Sequence, residues 1–235
     1  MMLSVRGLHA LYGNIHVLHG VNFDIAGGQI ATILGRNGSG RSTTCKAIMG
    51  ILRPARGEVT LDGRNLAGLE GHEIARAGIG YVPEERLIFT TLSVEENLLM
   101  GVKKPRPGAP TWSIEELYAL FPRLQERRHV RAGYLSGGEQ QMLTIFRTLL
   151  GNPRTILIDE PTEGLAPKIV DVVSEVILEM KRRGLAVVLL EQKLSMALRI
   201  ADTVMVMGHG QIVFNGTPQV FSNDAGIRRQ WLEVS

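Results

Sequence analysis

Two stretches of this chain carry residue types that can do chemistry together. The first is Gly35-Arg36-Asn37-Gly38-Ser39-Gly40-Arg41-Ser42-Thr43, which follows the apolar run Ile30–Leu34 and precedes a helical pattern. Glycines between a strand and a helix let backbone N–H groups turn inward around phosphate oxygens, and the helix N-terminus adds partial positive charge. The second is Thr155-Ile156-Leu157-Ile158-Asp159-Glu160, an apolar strand that ends in two carboxylates. Acids at the carboxyl end of a parallel strand lie where open α/β sheets bind ligands. The two stretches together fit phosphoryl transfer from a nucleoside triphosphate to water. Gly35, Asn37, Gly38, Ser39, Gly40, Arg41 and Thr43 would cradle the phosphates. Ser42 and Asp159 would hold Mg²⁺, and Glu160 would polarise the attacking water.

Position 41 of that loop departs from the usual lysine. Arginine keeps the charge but presents a planar fork in place of a compact point charge, so the exchange is not conservative. Phosphate binding should survive it, while charge placement at the β/γ bridge, and with it the hydrolysis rate, is open. A third element, Leu135-Ser136-Gly137-Gly138-Glu139-Gln140-Gln141, stands at a helix start. Ser136 with the Gly137 and Gly138 amides reads as a second anion site at a helix N-terminus. One nucleotide needs one such loop, so this one would serve a nucleotide held by another subunit.

The elements that must position these loops follow from pattern. Short apolar alternations through Ile25 predict antiparallel strands, and Gly27-Gly28 a turn. A helix is expected from about Ser42 to Ile51, a strand over Glu58–Leu61, and a turn at Asp62-Gly63. Ser93…Glu96 and Ser113…Glu116 are capping boxes that start two helices. Lys103–Pro110, with three prolines, predicts a surface loop whose basic residues are solvated. Ile169, Val172, Val173, Val176, Ile177 and Met180 keep helical spacing between Pro167 and Arg183. Leu185–Leu190 is a further buried strand, and Gly208-His209-Gly210 turns a hairpin between 204–207 and 211–214. Buried strands alternating with helices predict a parallel sheet covered on both faces.

Composition bounds the rest. The 235 residues are 44% hydrophobic and 21% charged, with a formal net charge of +3 and no run of five like charges. That distribution, and 5% aromatic residues, give no footprint for a nucleic-acid partner. The single cysteine, Cys45, excludes an internal disulfide, suits a reducing compartment, and reads as a small core residue. No apolar run approaches the ~20 residues of a membrane span, and Met1–Arg6 lacks a signal-peptide core. The six histidines show no metal-ligand spacing; His16 and His19 are three apart with no third partner in sequence, which reads as structural histidine.

Leu135-Ser-Gly-Gly-Glu-Gln140, set between a phosphate loop and an Ile158-Asp-Glu-Pro161 strand end, resembles the ATPase subunits of ATP-binding-cassette transporters over essentially the whole chain. The resemblance implies an α/β P-loop NTPase (RecA-like) core with a mainly parallel sheet, an N-terminal antiparallel β subdomain and an inserted helical subdomain. It implies one domain over 1–235, with core 1–87 and 153–235 and a helical subdomain of about 88–152. In that family two domains pair head to tail, so that Ser136–Gly138 would complete the partner's ATP site. Tyr12 would stack on adenine, and the segment from Glu84 to about Asn97 would face a permease, unless Leu87, Ile88 and Phe89 are simply core.

Tyr81-Val-Pro-Glu84-Glu-Arg86, Phe121-Pro-Arg-Leu124, Glu163-Gly-Leu-Ala-Pro167, Glu191-Gln192 and Gly226–Leu232 are similar to the smaller of two paralogous ATPases in branched-chain amino-acid, amide or urea importers. That branch implies a heterodimer with the other ATPase (a homodimer is possible), two membrane-spanning permeases, an external solute-binding protein, and a place on the cytoplasmic face of the plasma membrane. Glu84 stands where the general cassette pattern has a glutamine that senses γ-phosphate and metal. It could still ligate Mg²⁺. Gln192 stands at the switch-histidine position; it can hydrogen-bond a γ-phosphate but cannot carry a proton at neutral pH. The function implied is an ATPase that energises solute import. Two other readings stand beside it: a nucleotide-binding partner with weak hydrolysis of its own because of Arg41, and a soluble cassette ATPase in repair or translation. The latter usually carry two cassettes or long insertions, which this chain lacks.

Overall fold

The computed structural model describes residues 2–232; Met1 and residues 233–235, the two ends of the 1–235 domain expectation, lie outside the described residues. The chain runs β1 (Met2–Tyr12), β2 (Ile15–Ala26), β3 (Ile30–Leu34), α1 (Arg41–Ile48), β4 (Arg56–Leu61), β5 (Arg64–Asn65), α2 (Gly71–Ala77), β6 (Ile79–Val82), α3 (Val94–Gly101), α4 (Ile114–Leu120), α5 (Pro122–Glu126), α6 (Gly137–Leu149), β7 (Thr155–Asp159), α7 (Pro167–Arg182), β8 (Ala186–Glu191), α8 (Leu194–Ile200), β9 (Thr203–Gly208), β10 (Gln211–Gly216), α9 (Pro218–Asn223) and α10 (Ala225–Trp231).

Ten strands form two sheets among the described residues. β2-β1-β4-β5 is antiparallel throughout, and the second sheet has the order β10-β9-β3-β8-β7-β6. Only β9–β10 is antiparallel in the second sheet, because these strands share the predicted hairpin; its other pairings are parallel. All five residues of β3 and of β7, and all six of β8, are buried. Side chains alternate across a strand, so each run serves two layers. Ile156, Ile158, Val187 and Leu189 join a core built with α3, α6 and α7. Leu157, Val188, Leu190, Ala31 and Ile33 join a second core built with β1, β2 and α1. The sheet is thus sandwiched between the antiparallel layer and the helices, as the continuous apolar runs predict. Helices α3–α6 all lie between β6 and β7 in the chain.

Two local readings need adjustment. The helix after the phosphate loop ends at Ile48, not Ile51, because Gly50 takes a left-handed φ of 67° and turns the chain. Sequence pattern missed β6, a four-residue edge strand with no alternation to reveal it. Both predicted capping boxes form, with the hydroxyls of Ser93 and Ser113 accepting from the Glu96 and Glu116 N–H groups. Among the described residues no helix is long and apolar enough to cross a membrane.

Candidate functional site: the phosphate-loop cavity

β3 delivers the loop and α1 carries it away. Gly35 is confined by close packing: a Cβ there would lie 2.5 Å from Ser39 Oγ and 2.7 Å from the Met207 carbonyl oxygen of β9. Gly40 is the helix N-cap at φ 109°, a left-handed conformation that L side chains rarely adopt. The loop is also pinned from outside, where the Gly210 N–H donates to the Ser39 carbonyl at 2.9 Å.

The loop opens on a cavity of about 460 Å³ lined by Asn37–Thr43, Glu84, Glu160, Glu163 and Gln192, with Val17 at its rim. Parallel pairing of β7 beside β8, and of β8 beside β3, brings the acids of β7 and the Glu191-Gln192 end of β8 to the loop. Ser42 Oγ donates to Asp159 Oδ1 at 3.2 Å. Gln192 Nε2 donates to both carboxylate oxygens of Glu160 at 3.0 Å and to Asn37 Oδ1 at 2.5 Å. Arg41 Nη2 meets Glu160 Oε1 at 2.5 Å in an ion pair whose side chains are only 4% and 8% exposed. Arg41 lines the cavity, and its guanidinium, whose reach and fork geometry suit a carboxylate, pairs with Glu160 across it.

Glu160 sits at φ 45°. A non-glycine residue there is sparsely populated and held by its surroundings, as functional side chains often are. Asp159 is buried, and burial pushes its carboxyl up to about 6; the charges of Glu160 and Glu84 add to the rise, while the Ser42 hydrogen bond and Arg41 oppose it. Burial raises Glu191 as well, although Thr162 Oγ1 donates to it at 2.7 Å.

The structure adds residues that sequence reasoning did not place. Glu163 lines the cavity, and the neighbouring Glu160 carboxylate raises its pKa. The Tyr81 hydroxyl lies 3.5 Å from Asp159 Oδ2, an approach created when β6 pairs with β7. Burial raises the Tyr81 phenol. Glu163 had a local signal, three residues past Glu160; Tyr81 had none.

The donors facing the Ser42 corner are oxygens: the Ser42 hydroxyl and the Asp159 and Glu84 carboxylates. Such a set suits a hard cation like Mg²⁺, which keeps part of its shell for substrate oxygens and water. Among the described residues no group of three or more His, Cys, Asp or Glu side chains could hold a metal by itself. His16 and His19 are corrected in one respect. The β1–β2 pairing adds His9, whose Nδ1 lies 3.0 Å from His16 Nε2, and the three rings form a surface stack.

Tyr12 and Ser136–Gly138 are not brought to the cavity. Tyr12 is 46% exposed at the end of β1. Ser136 is exposed and caps α6. Its hydroxyl accepts from the Glu139 N–H, and the Glu139 carboxylate accepts from the Ser136 N–H at 2.7 Å. The Ser136 hydroxyl thus accepts from its own helix, and its O–H stays free to donate, as a donor to an anion requires. Glu139 is clamped by Arg123 and Arg127. Burial alone would raise its pKa; the Ser136 donors and Arg127 outweigh this and lower it.

A parallel sheet with a glycine loop after one strand and paired acids after another defines a P-loop nucleotide hydrolase. A family model described as ABC transporter matches residues 18–163, and the chain belongs to that family. It is 39% identical to the high-affinity branched-chain amino acid transport ATP-binding protein BraG of Pseudomonas aeruginosa, over 98% of this chain and 99% of that one. It is 31% identical to the lipopolysaccharide export system ATP-binding protein LptB of Haemophilus influenzae, over 98% and 97%. Among solved structures, an ATP-binding cassette of an ABC transporter in its ADP conformation superposes with a TM-score of 0.78 at 28% identity, covering 92% of this chain and 91% of that one. The chain is therefore an ATP-binding, ATP-hydrolysing subunit of the ABC type with the expected α/β cassette fold. The reading of a partner with weak hydrolysis gains no support from these relatives.

Proposed function

We propose that this subunit energises import of branched-chain amino acids or related small solutes. The observation that carries the solute class is the end-to-end similarity to BraG, which exceeds that to the export relative. The single ATPase domain, with residues of about 88–152 as its helical subdomain, would sit on the cytoplasmic face of the plasma membrane. Its partners would be a paralogous ATPase subunit or a second copy, two permeases and an external solute-binding protein. Two features support a permease contact after Glu84. Leu87 and Phe89 are 62% and 46% exposed, whereas Ile88 packs on the core. Arg86 and Leu87 both hold positive φ, a strained turn of the kind that marks functional segments.

In this reading the Asn37–Thr43 amides, Arg41 and the N-terminus of α1 hold the ATP phosphates, and Tyr12 stacks on adenine. Ser42, Asp159 and Glu84 would hold Mg²⁺, which supplies charge neutralisation at the β/γ bridge when bound. Glu160 orients and polarises water against the γ-phosphate, and Gln192 donates to that phosphate. Ser136, through its position at the start of α6, and the Gly137 and Gly138 amides complete the partner's site. The test is ATP-driven uptake in vesicles carrying this subunit with each class of permease. Leucine, isoleucine or valine uptake with an importer permease, lost on omitting this subunit, is expected. Turnover stimulated only by an exporter permease would overturn the solute class.

A further inference from the structure

A ring of four hydrogen-bonded side chains lines the cavity. Arg41 Nη2 binds Glu160, Gln192 Nε2 binds Glu160 and Asn37, and Arg41 Nη2 reaches Asn37 Oδ1 at 3.4 Å. Glu160, the group that would polarise water, is thereby committed to two donors of its own chain. Two polar atoms of the same loop have no partner although buried: Arg41 Nη1 and Ser39 Oγ. Orphaned buried donors are uncommon in folded proteins and call for an explanation. Among the described residues that line the cavity, Arg41 is the only cation, set against the carboxylates of Glu84, Glu160 and Glu163.

A phosphate entering the cavity therefore meets a single guanidinium, which already holds Glu160 through Nη2. A lysine ammonium in this position would be a mobile point charge, whereas the arginine fork holds a carboxylate directionally and stays charged at all working pH values. We propose that Arg41 is a nucleotide-operated latch on Glu160. In the empty subunit it holds the carboxylate. When a nucleotide phosphate enters, the guanidinium transfers to it, and Glu160 is released to face water. The arrival of phosphate thus arms the water-polarising group, and the subunit is kept from adopting a competent Glu160 before ATP is seated. This rests on the reading of the loop as the phosphate site.

A double-mutant cycle in nucleotide binding tests it on the full-length chain, with ADP and a non-hydrolysable ATP analogue as probes. Dissociation constants are measured for the native chain, Glu160→Gln, Arg41→Met and the double variant. If the pair breaks on binding, Glu160→Gln tightens binding more when Arg41 is present than when it is absent, by about tenfold, within the range of coupled neighbours. Equal effects in the two backgrounds mean that Arg41 keeps Glu160 while it binds phosphate, and overturn the latch. A native chain that binds neither probe overturns the phosphate-site reading instead. Should Arg41→Met not fold, the Nε–Hε resonance of Arg41, assigned by its loss in Arg41→Lys, gives the answer. The latch requires Glu160→Gln without nucleotide to shift that resonance toward its nucleotide-bound position. A resonance moved by nucleotide but not by Glu160→Gln rejects it.

Discussion

Two loops in this chain begin a helix beside an acid, and their acids titrate in opposite directions. At the phosphate loop, Asp159 is buried among other carboxylates and its pKa rises to about 6. At the start of α6, Glu139 is also buried, yet its Ser136 hydrogen bonds and Arg127 outweigh burial and lower its pKa. The first site stores unfavourable charge that an incoming cation and phosphate would relieve. The second has already neutralised its acid and offers the surface backbone amides and the exposed Ser136 hydroxyl. The contrast suggests a division of labour: the cavity does chemistry on its own nucleotide, and the α6 start is a rigid contact for something brought to it.

The sharpest way to break this comparison is Glu160→Gln. It should lower phosphate release from ATP by about 10²–10⁴-fold, the usual value of a positioned general base, with nucleotide binding retained. Residual turnover near the native rate would move the chemistry elsewhere.

Stability against pH comes next. A carboxyl whose folded pKa lies above its ordinary value favours the fold below that ordinary value and costs stability as pH rises toward the folded pKa. Asp159→Asn should therefore raise the stability of the chain without nucleotide or metal by about 3 kcal/mol at pH 8, as an order of magnitude from a two-unit shift. The gain should vanish near pH 4, and urea unfolding across pH 4–8 reads it directly. A gain independent of pH would show that burial stress is not the cause.

Gly137→Glu sharpens the other side. A side chain there meets the flexible end of Arg86, so the fold should tolerate it. An added carboxylate facing a partner's triphosphate should lower turnover of the assembled pair about tenfold or more. Nucleotide binding by the isolated chain, measured by calorimetry, should change less than about twofold, since Gly137 does not line the cavity. Smallest is Glu139→Gln, expected to cost about 1 kcal/mol of stability at pH 7 through its weakened cap and clamp. Because the Glu139 pKa is lowered, that difference should shrink as pH falls below the ordinary glutamate range. Differential melting at pH 7 and pH 3.5 checks the sign.

What could be read in advance follows sequence distance. The phosphate loop, the acids after β7 and the capping boxes are contiguous, and each carries its own local physics. The two-faced sheet was legible because β3, β7 and β8 are apolar at every position. The ring around Glu160 was not, since Arg41 and Glu160 are 119 residues apart and only the β3-β8-β7 order joins them. Tyr81 was missed for the same reason: its strand is short and its meaning comes from the neighbour it pairs with. Ser136 was read as a donor to a ligand because glycines follow it. Glu139 three residues on, the mark of a capping box, was the available signal that the same hydroxyl also accepts from its own helix, a role compatible with donation.

Cys45 turns the fold into its own reporter. It is the sole thiol of the chain, fully buried on α1 beneath the phosphate loop, and burial holds it protonated. A reagent that attacks thiolates can reach it only when the loop-bearing helix opens. The rate of labelling therefore clocks that opening, and the slowing of the clock by each added nucleotide measures how firmly the loop is held, with no probe attached to the site itself.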